Sequence, residues 1–430
     1  MKKILHIAAH MGGGAGKAIS GILKNLSQFE NTLLLLEPPV SSRYVDICNE
    51  NNINTIITSD PLQISKIAMD ADIIVLNWWC HPLFVNVFKS ISSINARIVL
   101  WSHINGLNYP YLPYDFLDMF NLSMFTSPCT YENTLWSETQ RKIIEKKSFV
   151  VYGTGDFHPE KSLYKKDYSI NGIYKIGYSG TLNFSKLSSD FPQICYQVHE
   201  NIKNTEFDLY GHCHDDVKSR FDNSYVKFNG FVNNIEDSLT DMDIFCYPLT
   251  KNNFATTENA LLEAMAAGLP VVVMDNPPER NIITHNKTGL IAENPQQVSE
   301  YVGKLYYNTD LRKQLGENAR QHVIEKYSAD ENVNRFISCI NSCIQSDKKQ
   351  YNFDNITGDS PWDFFLYFCR PDISVIKNIL SGNLTDVLPD IYYESSKSSP
   401  FHFLRYFPDD KHFNKLIKFI LKQQEVIHES

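Results

Sequence analysis

Two stretches of the chain begin with the same pattern, a short apolar run that ends in a glycine turn. Ile4–Ala9 ends in Gly12–Gly16, and apolar residues on one helical face follow. The pattern restarts at Tyr174–Tyr178, which ends in Ser179-Gly180-Thr181. Strand, glycine turn and helix form the opening unit of a doubly wound parallel sheet. The repetition predicts an α/β protein with two Rossmann-like, doubly wound parallel-sheet domains.

Further short apolar runs, typical of buried parallel strands, continue each half. In the first half they are Asn31–Leu36, Ile73–Leu76, Arg97–Trp101, Met124–Ser127 and Phe149–Tyr152. In the second half they are Phe207–Tyr210, Val226–Phe228, Ile244–Tyr247, Pro270–Met274 and Gly289–Ala292. The polar residues 157–172 separate the halves and are interpreted as a linker. We therefore predict domains at 1–157 and 173–330, a crossover helix at 331–346 and a further segment at 351–430.

The segment 351–430 is rich in aromatic residues and mostly helical in period. It contains a faint duplication, because Ser360–Phe368 resembles Ser399–Phe407. Each copy starts with serine and proline, which suit the N-cap and the first helical position. We interpret the segment as a small helical C-terminal extension. Its aromatic residues either pack inward or form a recognition module.

Composition and charge narrow the class of protein. The formal net charge of −9 argues against a nucleic-acid binder, which would carry a basic face. The nine cysteines contain no C-x-x-C pair, a pattern typical of a reduced, intracellular protein. No run approaches the ~18–20 apolar residues of a membrane span. The expected location is therefore cytoplasmic, with peripheral contact to a membrane left open.

No metal site is expected. His212-Cys213-His214 looks like a metal tract, but no second pair of ligands stands at a zinc-like spacing. Asp241-Met242-Asp243 lies in a turn between a helix and a strand and makes no convincing metal motif. The glycine turn at Gly12–Gly16 also fails the spacing of a phosphate-binding P-loop and of a dinucleotide fingerprint.

The segment Thr256–Val273 carries the clearest chemistry. It is predicted to form a loop, a threonine-capped helix, a glycine C-cap and a buried strand. The start of such a helix is an anion site, because its free N–H groups and its dipole favour phosphate. We place Thr257, Glu258 and Asn259 at that start. Glu263 lies roughly 140° around the helix from Glu258, so the two carboxylates cannot face one ligand atom.

At these residues the chain resembles the GT-B glycosyltransferases of family 4. The resemblance covers about residues 1–330 and is specific in its second half. It rests on Glu263–Val272, Val226–Val232, Ile244–Pro248, Asn286–Leu290 and Tyr152–Phe157. It implies two domains that face a cleft, with the nucleotide-sugar donor held by the second. It also implies a hexosyltransferase-type reaction that retains anomeric configuration and needs neither a metal nor a cofactor.

The resemblance also suggests roles for single residues. Lys186 would neutralise the leaving diphosphate, Glu258 would approach the donor sugar, and Glu263 would approach a ribose. His103, after a buried strand, would lie near the transferred sugar and act as a catalytic residue. The remaining donor-binding candidates are Gly13, Gly14, Thr181, Phe231, Thr257 and Asn259.

Two departures from the family pattern leave alternatives open. Ala255 stands where the family's first glutamate of a Glu-x7-Glu pair is expected, and Thr181 replaces an arginine. We expect transfer of a sugar to a glycan or lipid-linked acceptor in the biosynthesis of a surface polysaccharide. The first alternative is a catalytically idle GT-B paralogue that serves as a binding or scaffold subunit. The second is a Rossmann-type NAD-dependent oxidoreductase.

Overall fold

A computed structural model describes all 430 residues except 40, 93, 185, 233, 252, 254, 383–386, 394–397 and 430. For residues 216, 390, 391 and 424–429 the structure describes the backbone but not the side chain. The chain divides into two compact units. The first consists of residues 1–155 and 332–430, and the second of residues 156–331. The C-terminal extension therefore belongs to the same unit as the first half of the chain.

The first unit is built on a seven-stranded parallel sheet in the order β3-β2-β1-β4-β6-β7-β8. The residues of its central strands β4 and β6 are buried on both faces, as expected of a sheet covered by helices. The strands are β1 (Lys3–Ala8), β2 (Glu30–Leu35), β3 (Asn54–Ile57), β4 (Ile73–Trp78), β6 (Ile98–Ser102), β7 (Leu122–Phe125) and β8 (Ser148–Val150), and the two-residue β5 (Asn95–Ala96) lies outside this sheet. The order changes direction between β1 and β4, which is the switch point of a doubly wound sheet.

Helices connect these strands. They are α1 (Gly13–Leu23), α2 (Arg43–Glu50), α3 (Pro61–Met69), α4 (Phe84–Ile91), α5 (Tyr114–Met119) and α6 (Glu138–Lys146), with a 3-10 turn at Pro128–Glu132. The helix α1 begins at Gly13, inside the predicted glycine turn Gly12–Gly16, and Gly13 has a φ of +54°, a conformation that only glycine adopts readily. The predicted order of strand, glycine-rich segment and helix is confirmed, but most of the glycine-rich segment forms the first turn of the helix.

The second unit contains a six-stranded sheet in the order β11-β10-β9-β12-β13-β14, again parallel throughout. The strands are β9 (Tyr174–Ser179), β10 (Thr205–Tyr210), β11 (Val226–Gly230), β12 (Ile244–Tyr247), β13 (Val271–Met274) and β14 (Leu290–Ala292). The helices are α7 (Phe191–Asn201), α8 (Asp215–Lys218), α9 (Glu236–Asp241), α10 (Asn259–Ala266), α11 (Pro277–Ile282), α12 (Pro295–Tyr307) and α13 (Thr309–Tyr327). The switch point lies between β9 and β12.

The helix α14 (Ala329–Ile344) leads the chain back into the first unit. Its Asn332 side chain makes hydrogen bonds of 2.7 Å with both the N–H and the carbonyl of Tyr152. Phe336 on the same helix packs against the rings of His6 and Trp101. These contacts close one face of the first sheet.

The C-terminal extension completes the core of the first unit. Trp78 packs against Phe364 and Phe368, and Phe88 packs against Phe353. Its elements are β15 (Lys349–Gln350), which pairs with β5, and α15 (Asp354–Thr357), α16 (Pro361–Tyr367), α17 (Ile373–Ser381), α18 (Pro400–Tyr406) and α19 (Lys411–Glu429), with a 3-10 turn at Asp390–Tyr393. The inward packing of its aromatic residues is thus observed. The predicted serine caps are confirmed as well, because Ser360 and Ser399 cap helices that begin with proline.

Candidate functional site

In the second unit, the loops that follow β9 and β12 are joined at the switch point of the sheet. The N–H of Ser188 donates to the carbonyl of Pro248 at 2.9 Å, and the N–H of Thr250 donates to the carbonyl of Lys186 at 2.8 Å. These backbone bonds hold the Lys186 segment against the end of β12. Ligands of open α/β sheets bind at this place, beyond the carboxyl ends of the strands.

Lys186, Glu258 and Tyr247 form a connected group there. The Lys186 Nζ lies 3.0 Å from Glu258 Oε2, and the Tyr247 hydroxyl donates to the same oxygen at 2.5 Å. The Glu258 side chain is 3% exposed, whereas that of Lys186 is 30% exposed. The carboxylate is thus held from the inside by the tyrosine, and the ammonium reaches it from the solvent side.

The position of Glu258 corrects the predicted helix start. We expected a threonine cap with Glu258 in the first turn, but α10 begins at Asn259 and Glu258 is its N-cap residue. Its side chain makes no capping hydrogen bond to the helix. The carboxylate turns instead toward Tyr247 and Lys186, because an ion pair and a phenol outweigh one backbone donor.

A second carboxyl group, Glu279, is fully buried near this group. Burial and the charge of Glu258 raise the pKa of Glu279 to about 8, so that it is uncharged at neutral pH. The amide of Asn276 donates to Glu279 Oε1 at 3.3 Å. The sequence analysis did not identify Glu279 or Tyr247 as site residues, although it predicted the buried strand that ends in Tyr-Pro. Their proximity to Glu258 follows from packing and not from spacing along the chain.

The loops after β9, β10 and β11 come into close contact. A Cβ on Gly211, whose φ is +133°, would lie 1.9 Å from the Gly180 carbonyl oxygen, so only glycine fits there. Thr181 is exposed, and its carbonyl accepts from the Tyr178 hydroxyl at 3.2 Å. Phe231 is 59% exposed and stacks on His212, with ring centroids 5.3 Å apart and an angle of 4° between the planes.

The remaining candidates in this unit lie along one segment. Thr257 is half-buried in the loop before α10, and Asn259 is the first residue of that helix. Glu263 is half-buried on α10. The tract His212-Cys213-His214 follows β10, and one of its imidazoles is used in the stack with Phe231.

In the first unit, His103 follows β6 directly. Its Nε2 lies 3.2 Å from Asn77 Oδ1, and its ring packs 4.7 Å from that of Trp101. Burial lowers the pKa of His103 to about 3, which keeps the imidazole neutral. Because the amide oxygen of Asn77 can only accept a hydrogen bond, Nε2 of His103 carries the hydrogen and Nδ1 keeps its lone pair. Gly13 and Gly14, at the start of α1, border open space, since a Cβ on either would meet no atom within 4 Å.

Sequence reasoning also missed a group of side chains around Glu37. His10, Glu37 and His81 follow β1, β2 and β4, and their ligand-type atoms lie within 4.8 Å of one another. A carboxylate directly after a buried parallel strand was the available signal, because strand ends of neighbouring strands meet at one edge.

Comparisons with known proteins agree with this architecture. Residues 173–308 match the family model described as glycosyl transferases group 1. The N-acetyl-alpha-D-glucosaminyl L-malate synthase of Bacillus anthracis is 26% identical over 134 residues, which are 31% of this chain and 34% of that protein. The alignment thus spans about a third of the length of that relative.

Solved structures match over most of the chain. HepE from Anabaena, in complex with UDP, has a TM-score of 0.64 at 14% identity, covering 80% of this chain and 100% of that one. Sucrose-phosphate synthase from Thermosynechococcus elongatus has a TM-score of 0.59 at 13% identity, covering 79% and 98%. At such identities the likeness concerns the fold, which is GT-B.

The protein therefore has the GT-B fold. Its residues 173–308 are similar to the glycosyl transferases group 1 family.

Proposed function

We propose that the protein is a retaining, metal-independent glycosyltransferase that moves a hexosyl group from a nucleotide sugar to a glycan or lipid-linked acceptor. The observation that carries the proposal is the pairing of Lys186 with Glu258 at the switch point of the second sheet. A half-exposed ammonium can bind the phosphates of a sugar diphosphate, and a buried carboxylate can accept hydrogen bonds from the sugar hydroxyls.

In this reaction Lys186 leaves Glu258 when the donor binds and pairs with the diphosphate. The bond between the anomeric carbon and the diphosphate oxygen breaks, and the electron pair goes to the diphosphate. Lys186 stabilises that charge, which is where an electrostatic catalyst acts. The new bond to the acceptor oxygen forms on the same face of the sugar, and the acceptor's proton is taken up by the departing diphosphate. Glu258 accepts hydrogen bonds from the donor sugar throughout.

The exposed face of Phe231 is available to a nucleobase, and Glu263 is assigned to the ribose. HepE binds UDP and, in another structure with a TM-score of 0.62, UDP-glucose. UDP-sugars are therefore the first donors to test. We place the reaction in the cytoplasm, in the biosynthesis of a surface polysaccharide. Among the residues that the structure describes, no helix is both long and apolar enough to span a bilayer.

The test is a panel of UDP-, GDP-, ADP- and dTDP-sugars, with release of the free nucleotide measured in the presence and absence of acceptor sugars. We expect one nucleotide class to be hydrolysed slowly, and faster with an acceptor. Activity should persist in EDTA. Proton NMR should show that the product has the same anomeric configuration as the donor. Tight binding of a nucleotide sugar without any turnover would instead favour the idle paralogue. Absence of binding and turnover across the panel would contradict the proposal.

A further inference from the structure

The group of side chains around Glu37 has no role in the donor chemistry described above. We call it the Glu37 cluster and define it as His10, Glu37, Trp79, His81, His402 and Tyr406. The first four follow β1, β2 and β4, which are neighbours at the switch point of the first sheet. The last two lie on α18 of the C-terminal extension. The cluster therefore joins residues that are far apart in the chain.

Two side chains, His81 and Tyr406, approach the Glu37 carboxylate. The N–H of Leu83 donates to His81 Nδ1 at 3.2 Å, so the proton of the neutral imidazole is on Nε2. That nitrogen lies 3.4 Å from Glu37 Oε1, and the Tyr406 hydroxyl donates to Glu37 Oε2. Although burial acts in the opposite direction, the contacts with His81 and Tyr406 lower the pKa of Glu37 to about 2. The carboxylate is therefore ionised at all physiological pH values and is a weak base.

The extension is attached to the cluster by specific contacts. The His402 and Tyr406 rings pack 4.8 Å and 5.1 Å from the buried His81 ring. The Ser398 hydroxyl donates to the carbonyl of Trp79 at 2.8 Å. The next residue, Cys80, has a φ of +60°, a left-handed conformation that is unfavourable for a non-glycine residue. Strain of this kind persists only where surrounding contacts hold the backbone in place.

The other side of the cluster is accessible. The side chains of Glu37 and His10 are 26% and 33% exposed, and Trp79 is half-buried. The Trp79 and His10 rings lie 5.2 Å apart. An ionised carboxylate beside an imidazole and an indole provides one strong hydrogen-bond acceptor next to apolar ring surface. Sites for small polar ligands combine these two features.

Two histidines and a carboxylate also form a set of possible metal ligands, but the hydrogen bonds disfavour a metal. A metal on His81 Nε2 would need a lone pair where the Leu83 contact places a proton. Burial further lowers the pKa of His81, so the neutral ring, with its hydrogen on Nε2, is the resting form.

We propose that the Glu37 cluster binds a sugar ring of the acceptor, with Glu37 accepting hydrogen bonds from its hydroxyls and Trp79 contacting its apolar face. The C-terminal extension completes this subsite by holding Glu37 through Tyr406. Glu37 is a binding and orienting residue in this scheme. The assignment of this sugar as the acceptor rests on the proposed glycosyltransferase function. The inference that the cluster binds a sugar does not depend on that function.

The test measures binding of the full chain to an array of immobilised oligosaccharides with different terminal hexoses and N-acetylhexosamines, without donor. We expect binding to a subset, weakened at least tenfold by Glu37→Gln. The matched control is Glu30→Gln, an exposed glutamate at the opposite end of β2, which should bind as the wild type does. Tyr406→Phe removes one donor to Glu37 and should weaken binding several-fold, and it replaces Glu37→Gln if that variant does not fold.

Thermal melting reports whether each variant keeps a folded first unit, which contains Glu37 and Tyr406. No oligosaccharide bound by the wild type, or equal binding by Glu37→Gln, would overturn the inference. Stoichiometric binding of Zn²⁺ alone that Glu37→Gln abolishes would overturn it in favour of a metal site. If oligosaccharides bind through Glu37 but no nucleotide sugar is ever used, the proposed function fails and the sugar subsite stands.

Discussion

The ammonium of Lys186 lies 3.0 Å from the carboxylate of Glu258, although the two residues come from loops that follow different strands. Two backbone hydrogen bonds between these loops hold them together. If Lys186 moves to a ligand, the buried carboxylate of Glu258 loses its cation. The buried hydroxyl of Tyr247 then remains as the internal partner of Glu258.

Lys186→Ala tests the role of this ammonium in transfer. If Lys186 offsets the charge of the leaving diphosphate, its loss should reduce turnover roughly ten- to a thousandfold, about 1.4–4 kcal/mol. Steady-state release of nucleotide measures the effect. Lys304→Ala, an exposed lysine on α12, is the control and should leave turnover unchanged. Wild-type turnover in a folded Lys186→Ala protein would rule out the role.

Phe231→Ala tests the nucleobase assignment. Stacking of a base on an aromatic ring contributes about 1–3 kcal/mol, so the dissociation constant for UDP should rise roughly five- to a hundredfold. Calorimetric titration measures it. Tyr307 is 76% exposed in the same unit, and Tyr307→Ala serves as the control for the loss of a surface aromatic residue. Equal UDP affinity in both variants would show that the base lies elsewhere.

Glu279→Gln tests the buried neutral carboxyl through the pH dependence of stability. The folded-state pKa of about 8 exceeds the ordinary value of 4.5, so the folded protein binds more protons in this interval. Glu279 therefore makes the wild type less stable as pH rises from about 4.5 to about 8. The melting temperature of Glu279→Gln relative to the wild type should increase over that interval and level off above it. A difference that is constant between pH 5 and pH 9 would contradict the assignment.

Removal of the C-terminal extension tests its structural role. A chain that ends at Gln345 would expose Trp78 and Phe88, which now pack against Phe353, Phe364 and Phe368. We expect aggregation, because large apolar patches on a surface promote association. Size-exclusion chromatography and thermal melting measure this outcome. A soluble monomer with an unchanged melting temperature would mean that the extension is a separate module.

The strands most easily predicted were the buried ones. Ile244–Tyr247 agrees with β12 at both ends, because a continuous apolar run marks a strand that is covered on both faces. The strand β3 (Asn54–Ile57) was missed, since this edge strand is half-exposed and lacks such a run. The helix α10 begins at Asn259, later than predicted, because the Glu258 side chain bonds to partners elsewhere in the fold and not to its own helix.

The amino-acid sequence by itself determined the two parallel sheets, the glycine turns and the strand ends that carry His103, Lys186 and Glu258. These features depend on local patterns, because burial on both faces and positive φ angles select particular residues at each position. Only the tertiary structure decided that Lys186 meets Glu258, that Glu279 is neutral, and that Tyr406 of the extension holds Glu37. Hydrogen bonds form only between groups that are close in space, and desolvation depends on how deeply a group is buried. Both are decided when folding brings the ends of distant strands to one edge of a sheet.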